Sequence, residues 1–272
     1  MRPLRIVVCL KPVPDPKHWQ DMSLDPVTKT LRRVGVPTVM DPLGKNALEE
    51  GLRIKECRGG EVIVVSMAPP QTEDILREAL AMGADSALLL SDRSFAGADT
   101  LATSYVLSMG IKKLGAYDLV ICGGRSLDGG TAQVGPQLAE FLDIPHVTRV
   151  NAVESHADAV VRVKARLDNG YQIVEAQLPS LLTVEKDINV PRFKSLMGIV
   201  GARNKLIRVW GASDVQADAQ CIGVSGSPTK VADVFMVDLK RGGEIIAGQP
   251  EDAAKSLAEK LCALGVLSST NK

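Results

Sequence analysis

The strongest constraint in this sequence is the alternation, through its first half, of short β-branched runs with stretches of helical periodicity. Strand, crossover helix and next strand in succession are the pattern of βαβ units around a parallel sheet. Arg5–Leu10, Val62–Ser66, Ser86–Leu90 and Leu119–Cys122 read as strands. Between them, Pro42–Glu56 reads as a helix capped by Asp41, with Pro42 at the first helical position and Ala47, Leu48, Leu52 and Ile54 on its buried side. Gln71–Met82, stopping at Gly83, and Asp99–Lys113 read as the next two helices, and Thr131–Leu142 as a fourth after a glycine-rich turn. Crossovers of this kind are right-handed, so helices are expected on both faces of a doubly wound, mostly parallel sheet.

After His146 the pattern changes. Val160–Arg166 and Tyr171–Gln177 flank Asp168-Asn169-Gly170, and Asn-Gly between alternating runs predicts an antiparallel hairpin. Leu181–Val184 reads as a further strand, and residues 189–203 as an exposed loop running into a short helix. Ser225–Thr229 reads as a Gly/Ser/Pro linker, Pro250–Leu264 as an amphipathic helix beyond it, and Ser268–Lys272 as a frayed tail. The expected organisation is an α/β domain over residues 1–223 with a hairpin and loop extension, followed by a linker and C-terminal arm over 224–272 that packs on another chain.

Composition removes several function classes. Lys+Arg and Asp+Glu both number 32, so the chain lacks the basic excess of a dedicated nucleic-acid binder. Hydrophobic residues at 45 % and charged residues at 24 % are the balance of a soluble globular protein, with no run long enough for a membrane span. Lys11 and the Pro-Val-Pro after it cut short the apolar stretch at the N-terminus before it reaches signal-peptide length, which predicts a cytoplasmic protein. Five scattered cysteines without C-x-x-C spacing and three isolated histidines offer neither a disulfide framework nor a metal site.

The most informative segment is Gly123-Gly124-Arg125-Ser126-Leu127-Asp128-Gly129-Gly130-Thr131-Ala132-Gln133-Val134-Gly135, which follows an apolar strand and opens a helix. In an open parallel sheet such a loop lies at the ligand crevice, and free amides at a helix N-terminus attract phosphate. Asp128 and Thr131 can hydrogen-bond a sugar or a phosphate-side group. The competing reading is a plain glycine turn capped by Asp128 or Thr131. The strands ending at Cys9 and at Ser66-Met67 reach the same edge, where their backbones can meet an adenine; for the Met67 side chain simple packing is the alternative. There is no G-x-G-x-x-G after the first strand, no G-x-x-x-x-G-K-[ST] and no G-x-S-x-G, and no acid–base set accompanies Asp128. These residues hold a nucleotide more readily than they transform one.

Taken in order, Met40-Asp41-Pro42-Leu43 through Asn46-Ala47-Leu48-Glu49-Glu50, Ala79-Leu80-Ala81-Met82-Gly83-Ala84-Asp85, the glycine loop, Leu178-Pro179-Ser180-Leu181-Leu182-Thr183 and Asn189-Val190-Pro191-Arg192-Phe193 resemble the β subunits of electron transfer flavoproteins. The resemblance implies an adenine-nucleotide-binding type of α/β fold and a heterodimer with an α subunit. It also implies one redox FAD held mainly by that partner, and a second nucleotide in this chain. In most members the second nucleotide is a structural AMP; in electron-bifurcating members it is a second FAD that accepts hydride from NADH and passes electrons to ferredoxin and an acyl-CoA dehydrogenase. Asp128-Gly129-Gly130-Thr131-Ala132-Gln133-Val134-Gly135-Pro136 looks more like the bifurcating type, although Gly130 replaces its acidic residue and Gly124-Arg125-Ser126 its Arg-Gln-Ala. The hairpin departs at Ala165 and Asn169. Carried over residue by residue, the nucleotide contacts are Cys9, Asp41, Met67, Gly123, Asp128, Gly129, Thr131, Gln133, Val134 and Gly135. Leu196 matches the family's exposed partner anchor, against the alternative of a core leucine opening the helix to Ala202. An ATP-binding stress-type module or hydrolase is the more distant reading.

Overall fold

Strand β1, Leu4–Cys9, has a β-branched or apolar side chain on both faces, and it therefore sits where both faces are covered. Ile6 and Val8 point into one core and Val7 into the other. The computed structural model describes residues 2–21, 23–24, 31–32, 36–156, 159–230, 232 and 243–267, so the tail Ser268–Lys272 lies outside the described residues. The chain divides into two units, Met1–Val234 and Phe235–Lys272.

The first unit is built on a nine-stranded sheet. After β1 come β2 (Gly60–Met67), β3 (Ser86–Leu90), β4 (Leu119–Gly123), β5 (His146–His156), β6 (Val160–Leu167), β7 (Gly170–Gln177), β8 (Ser180–Val184) and β9 (Ile207–Trp210). Their order across the sheet is β7-β6-β5-β8-β4-β1-β2-β3-β9. Every pairing from β5 to β9 is parallel, and only β6 and β7 run antiparallel, as a hairpin continuing from β5. Ile6 is in register with Val62 on one side and Leu119 on the other. The chain moves outward from β1 through β2 and β3, then returns to place β4 on the opposite side. Strand order reverses there, which defines the topological switch point.

Helices α1 (Pro42–Arg58) and α2 (Glu73–Met82) cover one face, and α3 (Thr100–Leu114) and α4 (Val134–Leu142) the other. Helix α1 begins with Asp41 accepting from the amides of Leu43 and Gly44, and Pro42 loses nothing at a position whose amide has no helical partner. Its Ala47, Leu48, Leu52 and Ile54 join Ile6, Val64 and Ile121 in the first core. A short helix, α5 (Leu196–Ala202), lies against α2.

Two expected boundaries shift, and two further features find their physical reason. Helix α4 starts at Val134, three residues after Thr131, because Ala132 takes a left-handed backbone (φ 57°) that no helix can include. In the hairpin, Leu167 pairs with Gly170, so Asp168-Asn169 alone make the turn and Gly170 belongs to β7. Ala165 faces inward and is fully buried, where a basic side chain would lack both room and a partner. Finally, Ser225–Thr229 is fastened to the start of α3: the Asp99 amide donates to Ser227 Oγ (2.8 Å) and the Thr229 amide to Asp99 Oδ2 (3.0 Å). Strands β5 and β9 carry no clear alternating signal of their own and are defined by pairing. In the second unit, α6 (Pro250–Ala263) has Pro250 in its first turn, with Glu251 and Asp252 placed to favour the helix dipole.

Truncating Ile121, fully buried on β4, should cost about 2–5 kcal/mol in urea unfolding as Ile121→Ala, whereas Ile173→Ala on the half-exposed face of β7 should change stability by about 0.5 kcal/mol or less.

Candidate functional site

At the carboxyl ends of β1 and β4 the sheet opens into a cleft of about 700 Å³, within the range of about 300–1,000 Å³ typical of small-molecule sites. Its floor carries Cys9 and Cys122, in-register neighbours on β1 and β4. A hydrogen bond to the Cys9 thiol, together with burial, pushes the Cys122 thiol well up, so Cys122 stays protonated and acts as a packing group.

Two helix N-termini converge on the cleft. The first turn of α3 contributes Thr100 and Thr103 and is capped by Asp99, whose Oδ1 accepts from Leu101 N (3.0 Å) and Ala102 N (3.1 Å). Helix α4 presents Gln133, Val134 and Gly135 and has no side-chain cap. Neither Asp128 nor Thr131 caps it. Its first-turn amides therefore lack side-chain acceptors at a place where the helix dipole favours an anion. Thr100 Oγ1 and Gln133 Oε1 tie the two helix starts together at 3.2 Å.

The glycine loop between β4 and α4 is held from below by α1. Asp41 is 3 % exposed and spends Oδ2 on the α1 amides, while Oδ1 accepts from Leu127 N at 2.7 Å. Burial raises the Asp41 carboxyl, and its amide donors offset part of that rise. Close approach explains two of the glycines. A Cβ on Gly123 would stand 2.8 Å from the Leu43 carbonyl carbon, and one on Gly135 would stand 2.4 Å from Thr183 Cγ2.

Of the ten residues singled out from the sequence, Cys9, Asp41, Met67 and Gly123 line the cleft from the sheet edge. Gly129, Thr131, Gln133, Val134 and Gly135 line it from the loop and α4. Asp128 does not line it. Its Oδ1 accepts from Lys11 Nζ at 2.6 Å and from the Gly129 amide at 2.7 Å, so it holds a lysine that does line the cleft. Partial burial pushes the Asp128 carboxyl up, but Lys11, Ser126 and the Gly129 amide outweigh it and leave the group below the usual carboxylate range. Lys11, Arg125, Ser126, Thr100 and Thr103 were not identified from sequence. The available signals were that Lys11 directly follows β1, and that Thr100 and Thr103 share one face at the start of α3.

Leu196 lies elsewhere. It opens α5 with Ser195 as cap, is 83 % exposed, and adjoins Phe193 at 98 % and Met197 at 81 %. The core-leucine alternative fails because α5 docks through its other side: Ala202 is buried, and Gly198 lies so close to α2 that a Cβ there would be 2.1 Å from Ala81 O.

Fold and cleft together define an open, doubly wound α/β protein with a cleft of small-molecule size at its topological switch point. The sequence profile of the electron transfer flavoprotein domain matches residues 28–215. The electron transfer flavoprotein subunit beta of Thermoanaerobacterium thermosaccharolyticum is 50 % identical over 259 residues, covering 95 % of this chain and 98 % of that one. Caffeyl-CoA reductase-Etf complex subunit CarD of Acetobacterium woodii is 46 % identical over 260 residues, with coverage of 95 % and 98 %. The acryloyl-CoA reductase electron transfer subunit gamma of Anaerotignum propionicum is 37 % identical over 265 residues, again with 95 % and 98 %. This chain belongs to the electron transfer flavoprotein family and matches its β subunits along nearly its whole length. Membership implies electron transfer in association with flavin or AMP and with an α subunit. Among the described residues no helix is long and apolar enough to cross a membrane.

Two outcomes follow from the loop geometry. Gly123→Ala should lower stability by about 1–3 kcal/mol in urea unfolding, since backbone must move to admit the methyl group. Because the folded-state pKa of Asp128 is depressed, its contribution is present above the unfolded value of about 3.9 and is lost as pH falls through the lower folded value. Asp128→Asn should therefore lower stability at neutral pH and flatten the acid limb of a stability-versus-pH curve.

Proposed function

We propose that the cleft holds an adenine nucleotide, FAD in preference to AMP, and that the chain serves as the β subunit of an electron-bifurcating electron transfer flavoprotein. The observation that carries the nucleotide reading is the side-chain-free N-terminus of α4 opposite Lys11, in a cleft that Arg125 also lines. A diphosphate meets amides and cations there, and an adenine meets the ends of β1 and β2 at Cys9 and Met67. The residues present fit such a group. Gly123 leaves no side chain between β4 and α1, and a Cβ on Gly130 would meet nothing within 4 Å, which keeps the loop open.

Preference for FAD rests on the Asp128 to Pro136 stretch and on relatives named for a caffeyl-CoA reductase complex and an acryloyl-CoA reductase. When bound, a flavin supplies the one- and two-electron chemistry. The chain's own part is to bind, orient and tune it. Asp128 fixes Lys11, Asp41 fixes the loop through Leu127, and the α4 amides face the phosphates. In this reading NADH is the donor, and its electrons divide between ferredoxin and an acyl-CoA dehydrogenase. The redox FAD lies mainly in the α subunit, onto which the arm beyond the Ser225–Thr229 linker, with α6, packs, and the complex works in the cytoplasm. The segment of residues 189–203, with Leu196, receives the redox partner.

Nucleotides released from the denatured αβ complex should be about two FAD and no AMP. One FAD and one AMP would reject the bifurcating reading and retain the carrier. Asp128→Ala should weaken the ligand of this chain and spare that of the α subunit. Leu196→Ala should cut transfer to an acyl-CoA dehydrogenase about tenfold below saturation, with an unchanged unfolding midpoint.

A further inference from the structure

The cleft leaves two motifs unused, Asn46-Ala47-Leu48-Glu49-Glu50 on α1 and Asn189-Val190-Pro191-Arg192-Phe193 in the loop before α5. In the folded chain they are partners. Asn46, Glu49 and Glu50 occupy one side of α1, and all three are buried polar residues, which is stable only when each is satisfied. Arg192 supplies most of that satisfaction for Glu49: Nε lies 2.8 Å from Glu49 Oε2, Nη2 lies 3.0 Å from Oε1, and the Arg192 amide donates to Oε2 at 3.0 Å. The same guanidinium donates from Nη2 to Glu56 Oε2 at 3.1 Å and from Nη1 to Glu56 Oε1. Asn46 Nδ2 donates to Asn189 O (2.9 Å) and Oδ1 (3.0 Å), and Asn189 Nδ2 returns bonds to Asn46 O (3.0 Å) and Glu50 Oε2 (2.9 Å).

Charge follows geometry. Burial raises the Glu49 carboxyl, but Arg192 outweighs it and holds the group below its usual range; Arg192 is correspondingly pushed up by Glu56 and Glu49. Arg53 adds a second cation beside Glu49, at 3.3 Å. A planar guanidinium bridging two carboxylates fixes direction as well as distance, which a point charge does not. The residue after Arg192 is the fully exposed Phe193, with Leu196 and Met197 close behind. Apolar side chains on an untethered loop gain by folding back onto their own chain. The clamp prevents this by committing the loop's entry to α1 while Gly198 and Ala202 commit its exit to α2.

We propose that the Glu49–Arg192–Glu56 clamp, with the Asn46–Asn189 pair, holds Phe193, Leu196 and Met197 outward for the redox partner, so that Arg192 is a positioning residue for electron delivery. It rests on the reading of residues 189–203 as the partner-docking segment. The device acts through presentation, so it governs capture of the partner and not the transfer step within the captured complex.

The test uses the intact αβ complex, with an acyl-CoA dehydrogenase reduced by its acyl-CoA as the varied partner, together with amide exchange over residues 190–203. Arg192→Gln should raise KM for the dehydrogenase about tenfold, leave kcat and flavin content unchanged, and speed exchange at 193–197. Arg192→Lys should recover part of the KM, since an ammonium replaces one contact of the bridge. Glu56→Gln leaves the buried pair intact, so the variant folds, and it should shift KM in the same direction by about twofold to threefold. Wild-type KM and wild-type exchange in Arg192→Gln overturn the clamp. If that variant does not fold, unchanged KM and exchange in Glu56→Gln overturn it instead. Leu196→Ala separates the two ideas. Unchanged KM there, with faster loop exchange in Arg192→Gln, rejects the docking segment and with it the clamp's functional role.

Discussion

The reversal of strand order beside β1 is the constraint on which the rest of the molecule depends. Parallel strands buried on both faces need apolar side chains in both directions, and β1, β2 and β4 meet that need with Ile6, Val8, Val64 and Ile121 toward α1, and Val7, Val65 and Val120 toward α3 and α4. Once β4 settles on the far side of β1, the loops leaving the two strands must diverge. The gap between them becomes a cleft without any residue being spent to carve it.

Helix α1 links this cleft to a distant surface. Its first residues receive the glycine loop through Asp41, and its middle receives the loop before α5 through Asn46, Glu49 and Glu50. Buried carboxylates on a helix are costly unless fully partnered, and here their partners arrive from segments far along the chain. A rigid helix packed on a parallel sheet thus sets the positions of both the cleft and the loop before α5. In the proposed function, the cleft and the loop before α5 share one support, although their residues do not touch.

The order of elements was legible because its signals are local. Capping by Asp41 and Asp99, Gly83 as a stop, and β-branched runs of strand length all act within a few residues. Strands β5 and β9 were not legible, since each is defined by the neighbour it pairs with. The start of α4 was misplaced for a related reason: Thr131 and Ala132 look helix-compatible, and only the loop's path from Gly123 forces the left-handed backbone at Ala132. Among the candidate site residues, those carried by glycine spacing and strand ends came together around the cleft. Lys11 and Asp128 illustrate the limit, because an ion pair across 117 positions leaves no trace in spacing.

By itself the sequence determined the class of fold, the position of the glycine loop and the family, because periodicity, turn chemistry and ordered motifs are properties of the chain read in line. Tertiary structure decided that Asp128 serves Lys11 and does not line the cleft, that Leu196 is a surface residue, and that the motifs around Glu49 and Arg192 are one constellation. Each depends on which distant groups meet in space. The energies concerned, those of satisfying buried polar groups and of closely approaching backbones, exist only once the chain is packed.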